Sequence, residues 1–311
     1  MVSVMRIAGI LAAATLSVVS LHARADTAKA WSAAKAGLPA DAKVVFAIDF
    51  AALQKTQLFA ALWPRFLEKF EATKVMDAMK ADCKIDPLVA VQGAVVAMSD
   101  GQREGAAYVA IAGVDKAKLA SCLQREMEKN GDKDAKVVVK QDGNITQVTD
   151  GKDSMFLGWV SKDVVVVPLN TRDKATVVKW MTGKGALAKT GVGKTLAKVN
   201  TQAALWGAGE GNDEFQPGVT VKGGYGSVMF SKGNVDANLH ALAENAAQAK
   251  TMADSTQKQL DDARQNPILP AAIAAMLKAV TVATANEEVV IKASVVEKDL
   301  LSALTLALGA L

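Results

Sequence analysis

Four strand-length runs follow one another in the middle of the chain, and only short polar links separate them. The runs are KVVVKQ, NITQVT, MFLGWV and VVVVPL, and the links contain the pair Asp142 and Gly143, the segment DGKDS and the segment SKD. Gly, Asp, Asn and Ser are common in tight turns between antiparallel neighbours. The pattern therefore predicts a central meander of four antiparallel strands.

Strand and helix patterns also precede this meander. Residues 42–50 form a strand-length apolar run, and residues 91–114 contain two apolar runs around a polar turn, which indicates a hairpin. A helix is expected from Asp115 to Gly131, because an acidic residue caps its start and a glycine ends it. These elements predict an α+β fold.

The C-terminal part repeats some of these steps. VAIAGVDKAKLASCL and IKASVVEKDLLSAL each combine a strand, an acidic helix start and a leucine four residues after the acid. Residues 235–264 predict a long polar helix, and residues 280–296 predict a last hairpin before a final helix. We therefore expect two related α+β halves, at residues 26–190 and 191–311, each with antiparallel strands packed by helices.

The first 25 residues have the composition of a secretory signal peptide. A short basic start precedes an apolar stretch at residues 7–21, and Ala23 to Ala25 form an A-x-A cleavage signal. No later segment approaches the run of about 20 apolar residues that a transmembrane helix needs. The sequence thus predicts export to the periplasm or the cell exterior, with no transmembrane segment after cleavage behind Ala25.

The charge balance argues against a nucleic-acid partner. The formal net charge of the whole chain is +4, and loss of Arg6 and Arg24 with the signal peptide lowers it to +2. The charged residues are mixed along the chain and are not gathered into a basic patch.

Two cysteines, Cys83 and Cys122, remain after removal of the signal peptide. An even number of cysteines in an oxidising compartment predicts a disulfide. Closing a loop of about 40 residues would stabilise the fold by about 4 kcal/mol in the chain-entropy model. Two buried free thiols are the alternative, because sequence alone does not fix the geometry of the pair.

The segment AKTGVGKT, residues 188–195, matches a relaxed phosphate-binding loop. Such a loop needs a strand that runs directly into it, and here the nearest strand-like run ends at Leu169. Ala188 also occupies the position of the first glycine, whose backbone conformation disfavours a side chain. We interpret the segment as the lysine-rich start of a helix and predict no nucleotide or other cofactor.

Acidic residues recur at the predicted helix starts. Asp49, Asp115, Asp173 and Glu297 each stand where a carboxylate would accept hydrogen bonds from free backbone N–H groups. Each such cap stabilises a helix by about 1 kcal/mol, so capping explains these residues without any catalytic role.

Other candidate sites have weak patterns. His240 is the only histidine outside the signal peptide and falls on the predicted long helix, so no imidazole-based metal cluster is expected. A catalytic triad through His240 is an alternative, although no G-x-S-x-G motif is present.

The glycine-rich segment LWGAGEGNDEFQPG, residues 205–218, is interpreted as a mobile loop. Asn212 and Pro217 break its likeness to a dinucleotide-binding fingerprint. Weak Ca²⁺ binding by Glu210, Asp213 and Glu214 is an alternative, but the spacing of an EF-hand is missing. We predict no metal site.

Phe59, Phe66 and Phe70, with Trp63 between them, lie three and four residues apart and predict an aromatic stripe on a helical stretch. Such a stripe usually faces the core. It is also a candidate groove for a lipid-like ligand or a partner peptide. Pro64 is expected to split the stretch and to begin a second helix.

Three segments form a combined pattern: LPADAKVVFAIDFAALQKTQLFAALW, CKIDPLVAVQGAVVAM and DKAKLASCL. They resemble exported proteins of unknown function from Gram-negative bacteria, some of which carry two α+β halves. The specific element is the cysteine of CKIDPL together with that of SCL. The resemblance implies export, the disulfide and the fold class, and it carries no activity.

We therefore expect an exported, non-enzymatic protein with a binding or envelope-structural role, whose partner is an unknown protein or a lipid-like ligand. The alternative is a periplasmic hydrolase whose site is built from carboxylates dispersed in the sequence. An enzyme should show a deep cleft with convergent polar groups, whereas a binding module should show a broad apolar groove.

Overall fold

The computed structural model describes residues 26–38, 41–69, 72–99, 105–130, 137–151, 153–170, 173–183, 187 and 191–309. They form a mixed α+β structure with antiparallel strands, so the predicted fold class is confirmed. The predicted signal peptide and Phe70 lie outside the described residues. No helix in the described residues combines the length and the apolar composition that a membrane span requires.

The chain divides into two compact units. The first contains Met1–Gln54 and Trp63–Thr190, and the second contains Lys55–Leu62 and Gly191–Leu311. That these units are related halves stays a prediction.

The described part of the first unit combines seven strands with helices. Its elements are α1 (Asp26–Gly37), β1 (Ala42–Asp49), α2 (Phe50–Leu53), the end of α3 (Gln57–Lys69), α4 (Thr73–Cys83), α5 (Pro87–Ala90), β2 (Val91–Ser99), β3 (Gly105–Ile111), α6 (Lys116–Asn130), β4 (Val137–Asp142), β5 (Ile145–Asp150), β6 (Asp153–Ser161), β7 (Val164–Leu169) and α7 (Lys174–Met181). The strands lie in the order β1-β2-β3-β7-β6-β5-β4. The predicted meander is β4 to β7 and the predicted hairpin is β2 and β3, so both are confirmed.

Helices pack on both faces of this sheet, as two successive residues of β3 show. The Val109 side chain belongs to a core cluster with Met79 of α4 and Leu119 of α6. Successive side chains of a strand point to opposite faces. Tyr108, on the other face, is fully buried and donates its hydroxyl to the carbonyl oxygen of Trp180 in α7, 3.2 Å away.

The second unit has five strands. Its elements are the start of α3, then α8 (Gly191–Leu196), β8 (Leu205–Gln216), β9 (Val219–Ser231), β10 (Asn234–Ala243), α9 (Ala246–Arg264), α10 (Ala271–Lys278), β11 (Val280–Ala285), β12 (Glu288–Val296) and α11 (Glu297–Gly309). The strands lie in the order β11-β12-β10-β9-β8. Ala249 and Met252 of α9 pack against Val219, Ala243 and Val289 of the sheet. The predicted last hairpin is β11 and β12 and is confirmed.

Two predictions in this unit are wrong. The first part of the predicted helix at residues 235–264 is the strand β10, and only Ala246–Arg264 is helical. Apolar residues do occupy alternate positions of β10, but its alanines and leucines also suit a helix. The predicted mobile loop at residues 205–218 is the strand β8 with a turn at Gly218. Gly207 and Gly209 of β8 lie opposite Gly226 and Gly224 of β9. Backbone pairing therefore holds this strand, although its glycines give no side-chain pattern that would predict a strand.

The expected break at Pro64 is also wrong, because α3 is one helix from Gln57 to Lys69 with Pro64 inside it. Proline removes the hydrogen bond to the carbonyl four residues earlier, here that of Ala60. Ala60 is exposed, so water can satisfy its carbonyl.

The helix α1 was not expected, although Ala30, Ala34 and Leu38 are fully buried at helical spacing.

Candidate functional site

Two buried polar side chains fix the start of α3. The hydroxyl oxygen of Thr56 accepts the N–H of Phe59 at 3.0 Å, and a carboxylate oxygen of Glu297 accepts the N–H of Leu58 at 2.8 Å. Thr56 and Glu297 are both 6% exposed. N–H groups in the first turn of a helix have no partner within the helix, so these contacts satisfy two of them.

The predicted aromatic stripe lies along one side of α3. Phe59, Trp63 and Phe66 follow one another at spacings of four and three residues, which places them on the same side of the helix. The rings of Trp63 and Phe66 stack with centroids 5.4 Å apart and planes 15° apart. The structure therefore brings Trp63 and Phe66 together on this side.

The aromatic side of α3 is incompletely buried. Phe66 is 37% exposed, and Phe59 and Trp63 are half-buried. Among the residues of α3, only Leu58 is buried. Arg65, Glu68 and Lys69 are exposed and carry charges of both signs. The arrangement is an amphipathic helix that leaves part of its aromatic surface in contact with solvent.

The predicted disulfide is confirmed. Cys83 at the end of α4 is bonded to Cys122 in α6, with the two Cα atoms 5.2 Å apart. Both residues are buried in the core cluster that holds Val109, which explains why α4 and α6 pack on the same face of the sheet.

Two carboxylates beside the disulfide have opposite pKa shifts. A hydrogen bond from Lys129, 2.6 Å away, lowers the pKa of Asp82. Burial, and then the charge of Asp82, raises the pKa of Glu126. Arg125 donates a hydrogen bond to the backbone carbonyl of Asp82. Carboxylates with divergent pKa values can act as acid and base. Here, however, Lys129 is paired with the Asp82 carboxylate, and the arrangement fits an ion network at the protein surface.

An apolar cavity of about 50 Å³ lies inside the first unit. Its lining side chains are all apolar and include Met79, Val109, Leu119, Leu157 and Val165. Ligand pockets of about 300–1,000 Å³ are typical, and an engineered apolar cavity of about 150 Å³ binds benzene. The cavity is therefore a gap in core packing, too small for a lipid-like ligand.

A polar cluster in the second unit centres on Glu288. Its carboxylate accepts the Tyr225 hydroxyl at 2.8 Å and pairs with Nδ1 of His240 at 2.8 Å and with Nζ of Lys198 at 2.6 Å. The rings of Tyr225 and His240, which are directly opposite in β9 and β10, stack with centroids 4.2 Å apart. The predicted position of His240 on a helix is thus wrong, and sequence reasoning missed this cluster.

The pKa values in this cluster favour a structural role. Burial opposes ionisation of Glu288, but hydrogen bonds from Lys198, Tyr225 and His240 outweigh it and hold its pKa below the usual range. Burial, and then the hydrogen bond to Glu288, raises the pKa of Tyr225. A carboxylate held by three donors has little capacity left to abstract a proton. The cluster therefore ties three strands and the segment after α8 together.

The predicted helix caps are confirmed at three of four positions. Asp49 accepts the N–H of Ala52 at 2.9 Å, Asp115 accepts that of Lys118 at 2.7 Å, and Asp173 accepts that of Thr176 at 2.8 Å. The prediction for Glu297 is wrong, because its carboxylate caps α3 and not the helix that it begins.

Two other predicted sites involve the helix α8 and the strand β8. In the segment that resembles a phosphate-binding loop, helix α8 begins at Gly191, and Thr195 donates its hydroxyl to the Gly191 carbonyl at 3.1 Å. Glu210, Asp213 and Glu214 lie on the strand β8. Within the described ranges, no group of three or more His, Cys, Asp or Glu side chains could hold a metal ion.

No family model and no curated protein matches the chain. Solved structures that resemble it include two crystal forms of TP0453, a Treponema protein of unknown function. Crystal form I is 8% identical, covers 87% of this chain and 96% of its own, and gives a TM-score of 0.52. Crystal form III is 10% identical, covers 86% and 96%, and gives a TM-score of 0.55. At these identities the likeness shows a shared fold.

Proposed function

We propose that the chain is an exported, non-enzymatic binding protein, that the aromatic side of α3 is its binding face, and that its partner is a protein. The stacked pair of Trp63 and Phe66, with Phe66 37% exposed, is the observation that carries the proposal. Export is supported by the signal-like N-terminus, with its A-x-A pattern at Ala23 to Ala25.

The residue types on this face suit a protein interface. Trp, Phe and Arg are enriched where proteins bind each other, and a few such residues carry most of the binding energy. Trp63 and Phe66, which stack on one side of α3, provide two of these types on this face. Stacking between Trp63 and Phe66 also orders both rings before binding, which reduces the entropy lost when a partner covers them.

The charges around the stripe favour a protein over a lipid surface. An amphipathic helix that lies on an anionic membrane usually has a polar side rich in Lys and Arg. The polar side of α3 carries Glu68 between Arg65 and Lys69. The apolar cavity of about 50 Å³ offers no alternative site for an acyl chain.

Site-specific crosslinking tests the proposal. A photoreactive phenylalanine derivative replaces Phe66 in the protein produced in its native cells, and a matched control places it at Val178, which is 40% exposed on α7. We expect a discrete protein adduct from position 66 and none from position 178. Adducts with lipid only, or identical adducts from both positions, would refute a protein-binding face.

Export has an independent test. N-terminal sequencing of the protein from the native cell envelope should give Asp26 as the first residue. Recovery of Met1 would refute signal-peptide cleavage.

A further inference from the structure

The strand β11 ends the strand order of the second unit and pairs, among the described strands, with β12 alone. The pairing runs over six residue pairs without a bulge, from Val280 opposite Ala293 to Ala285 opposite Glu288. The sequence of β11, VTVATA, has no charge and no proline, and Thr281, Ala283, Thr284 and Ala285 are exposed. An uncharged edge strand without proline or bulge is a template for another strand.

The strand β4, which ends the strand order of the first unit, differs in this respect. Its N–H at Val139 donates to the side-chain oxygen of Gln124 at 2.7 Å, and its neighbour Lys140 places a charge on the strand. Charged residues and side-chain covers are common means of blocking an edge. In β11, the guanidinium of Arg264 binds the first carbonyl, that of Val280, at 2.7 Å. Within the described chain, no other side chain is hydrogen-bonded to the β11 backbone.

We propose that β11 pairs with β11 of a second copy of this chain, in antiparallel orientation about a two-fold axis perpendicular to the sheet. Charges at the two ends of the strand favour this partner. Lys278 precedes β11, and the turn after β11 carries Glu287, both exposed. Antiparallel pairing brings Lys278 of each copy to the Glu287 end of the other, whereas parallel pairing would bring like charges together.

The two-fold axis also fixes the register. Residues directly opposite each other in a sheet have side chains on the same face. The axis must therefore lie midway between the two copies of one residue, which then face each other across the pair. Val282 and Ala283 are the central positions of the strand. An axis at Ala283 places the two copies of Ala283 directly opposite each other. An axis at Val282 places Ala283 opposite Thr281 of the second copy, so the two Ala283 residues are two positions apart. Both arrangements continue the half-buried Val280 and Val282 side chains across the pair on one face.

The contact is short, so the dimer should be weak. Six residues span about 20 Å of strand, and a stable interface normally buries at least about 1,200 Å². We expect the dimer to dissociate on dilution, because a short strand pair buries less area than this. The proposal uses residues distinct from the aromatic side of α3, so either can fail without the other.

A charge-complementation experiment tests the proposal. Sedimentation velocity over a wide concentration range compares the purified protein with the Ala283→Lys and Ala283→Glu variants. Each variant alone should dimerise at least about fivefold more weakly than the unmodified protein, because like charges then meet at the axis. An equimolar mixture of the two variants should restore the dimer, which also shows that both variants are folded.

Matched controls place the same charges on the other strand. Gln141→Lys and Gln141→Glu, at an exposed position of β4, should leave the association unchanged. The proposal is refuted if the unmodified protein is monomeric at every concentration. It is equally refuted if the Ala283 variants associate like the unmodified protein, or if mixing them restores nothing.

Discussion

The buried carboxylate of Glu297 accepts the backbone N–H of Leu58 at 2.8 Å, although the two residues are 239 positions apart in the sequence. Glu297 begins α11, but it caps the start of α3 and not that of its own helix. The contact connects two distant segments of the second unit, and it sets the start of the helix that carries the aromatic stripe.

Removal of this cap should destabilise the protein. We expect Glu297→Ala to lower the free energy of unfolding by about 1–3 kcal/mol, because it leaves the buried N–H of Leu58 without an acceptor. Glu297→Gln should cost less, since the amide oxygen can still accept the bond. Denaturant unfolding measures the free energy of unfolding of both Glu297 variants. Asp173→Ala, which removes an exposed cap of α7, is the control for the loss of an ordinary local cap. An equal midpoint for Glu297→Ala and the unmodified protein would contradict the capping role.

The Cys83–Cys122 bond should contribute to stability through the unfolded chain. The double variant Cys83→Ser/Cys122→Ser should unfold with a free energy lower by about 2–4 kcal/mol, because its unfolded state is less restricted. Urea unfolding gives the difference, and mass spectrometry of non-reduced peptides verifies the bond in the unmodified protein. Free thiols in oxidised native protein, or an unchanged midpoint in the variant, would refute this account.

Gly37 at the end of α1 should tolerate no side chain. A Cβ atom there would overlap the carbonyl oxygen of Trp180 and the hydroxyl oxygen of Tyr108. We expect Gly37→Ala to destabilise the protein by about 1–3 kcal/mol or more, as overpacking in cores does. Lys35→Ala, at an exposed position of the same helix, should stay within about 0.5 kcal/mol.

Thermal unfolding of Gly37→Ala, Tyr108→Phe and the double variant separates the two overlaps. The double variant should recover only part of the loss, because the Trp180 carbonyl remains. Full recovery would show that the Tyr108 hydroxyl alone excludes a side chain at position 37.

Stability should depend on pH through Glu288. Its pKa in the folded protein lies below the ordinary value of 4.5, so the unfolded chain takes up its proton first as the pH falls. The stability that this ionised carboxylate contributes is therefore present above about pH 5 and is lost as the pH falls through the folded pKa. Between pH 6 and pH 3, Glu288→Gln should lose less stability than the unmodified protein does. The control Glu244→Gln, at an exposed site, should lose as much as the unmodified protein. Equal slopes for Glu288→Gln and the unmodified protein would contradict this linkage.

Local patterns predicted much of the fold. The meander β4 to β7 was predictable because short polar links, such as Gly143 and Asn144 between β4 and β5, specify tight turns by themselves. The caps of α2, α6 and α7 were predictable for the same reason, since Asp49, Asp115 and Asp173 bind N–H groups only two or three residues away. Such interactions need no knowledge of tertiary structure.

Interactions between distant segments were not predictable. Glu288 and His240 meet because β10 and β12 pair in one register, and no local signal links positions 48 residues apart. The strand β8 owes its structure to a partner strand with matching glycines. On α3, by contrast, the spacing of Phe59, Trp63 and Phe66 predicted a common side, while their exposure depends on packing that the sequence does not encode locally.

The affinity of the crosslinked partner protein for the Phe66→Ala variant tests the proposed binding face most directly. Isothermal titration of the purified pair should show binding weaker by about 30-fold, or about 2 kcal/mol, because an exposed aromatic anchor is lost. Val178→Ala, which truncates an equally exposed apolar side chain on α7, should bind like the unmodified protein. A dissociation constant unchanged by Phe66→Ala, with the variant still folded, would contradict the account.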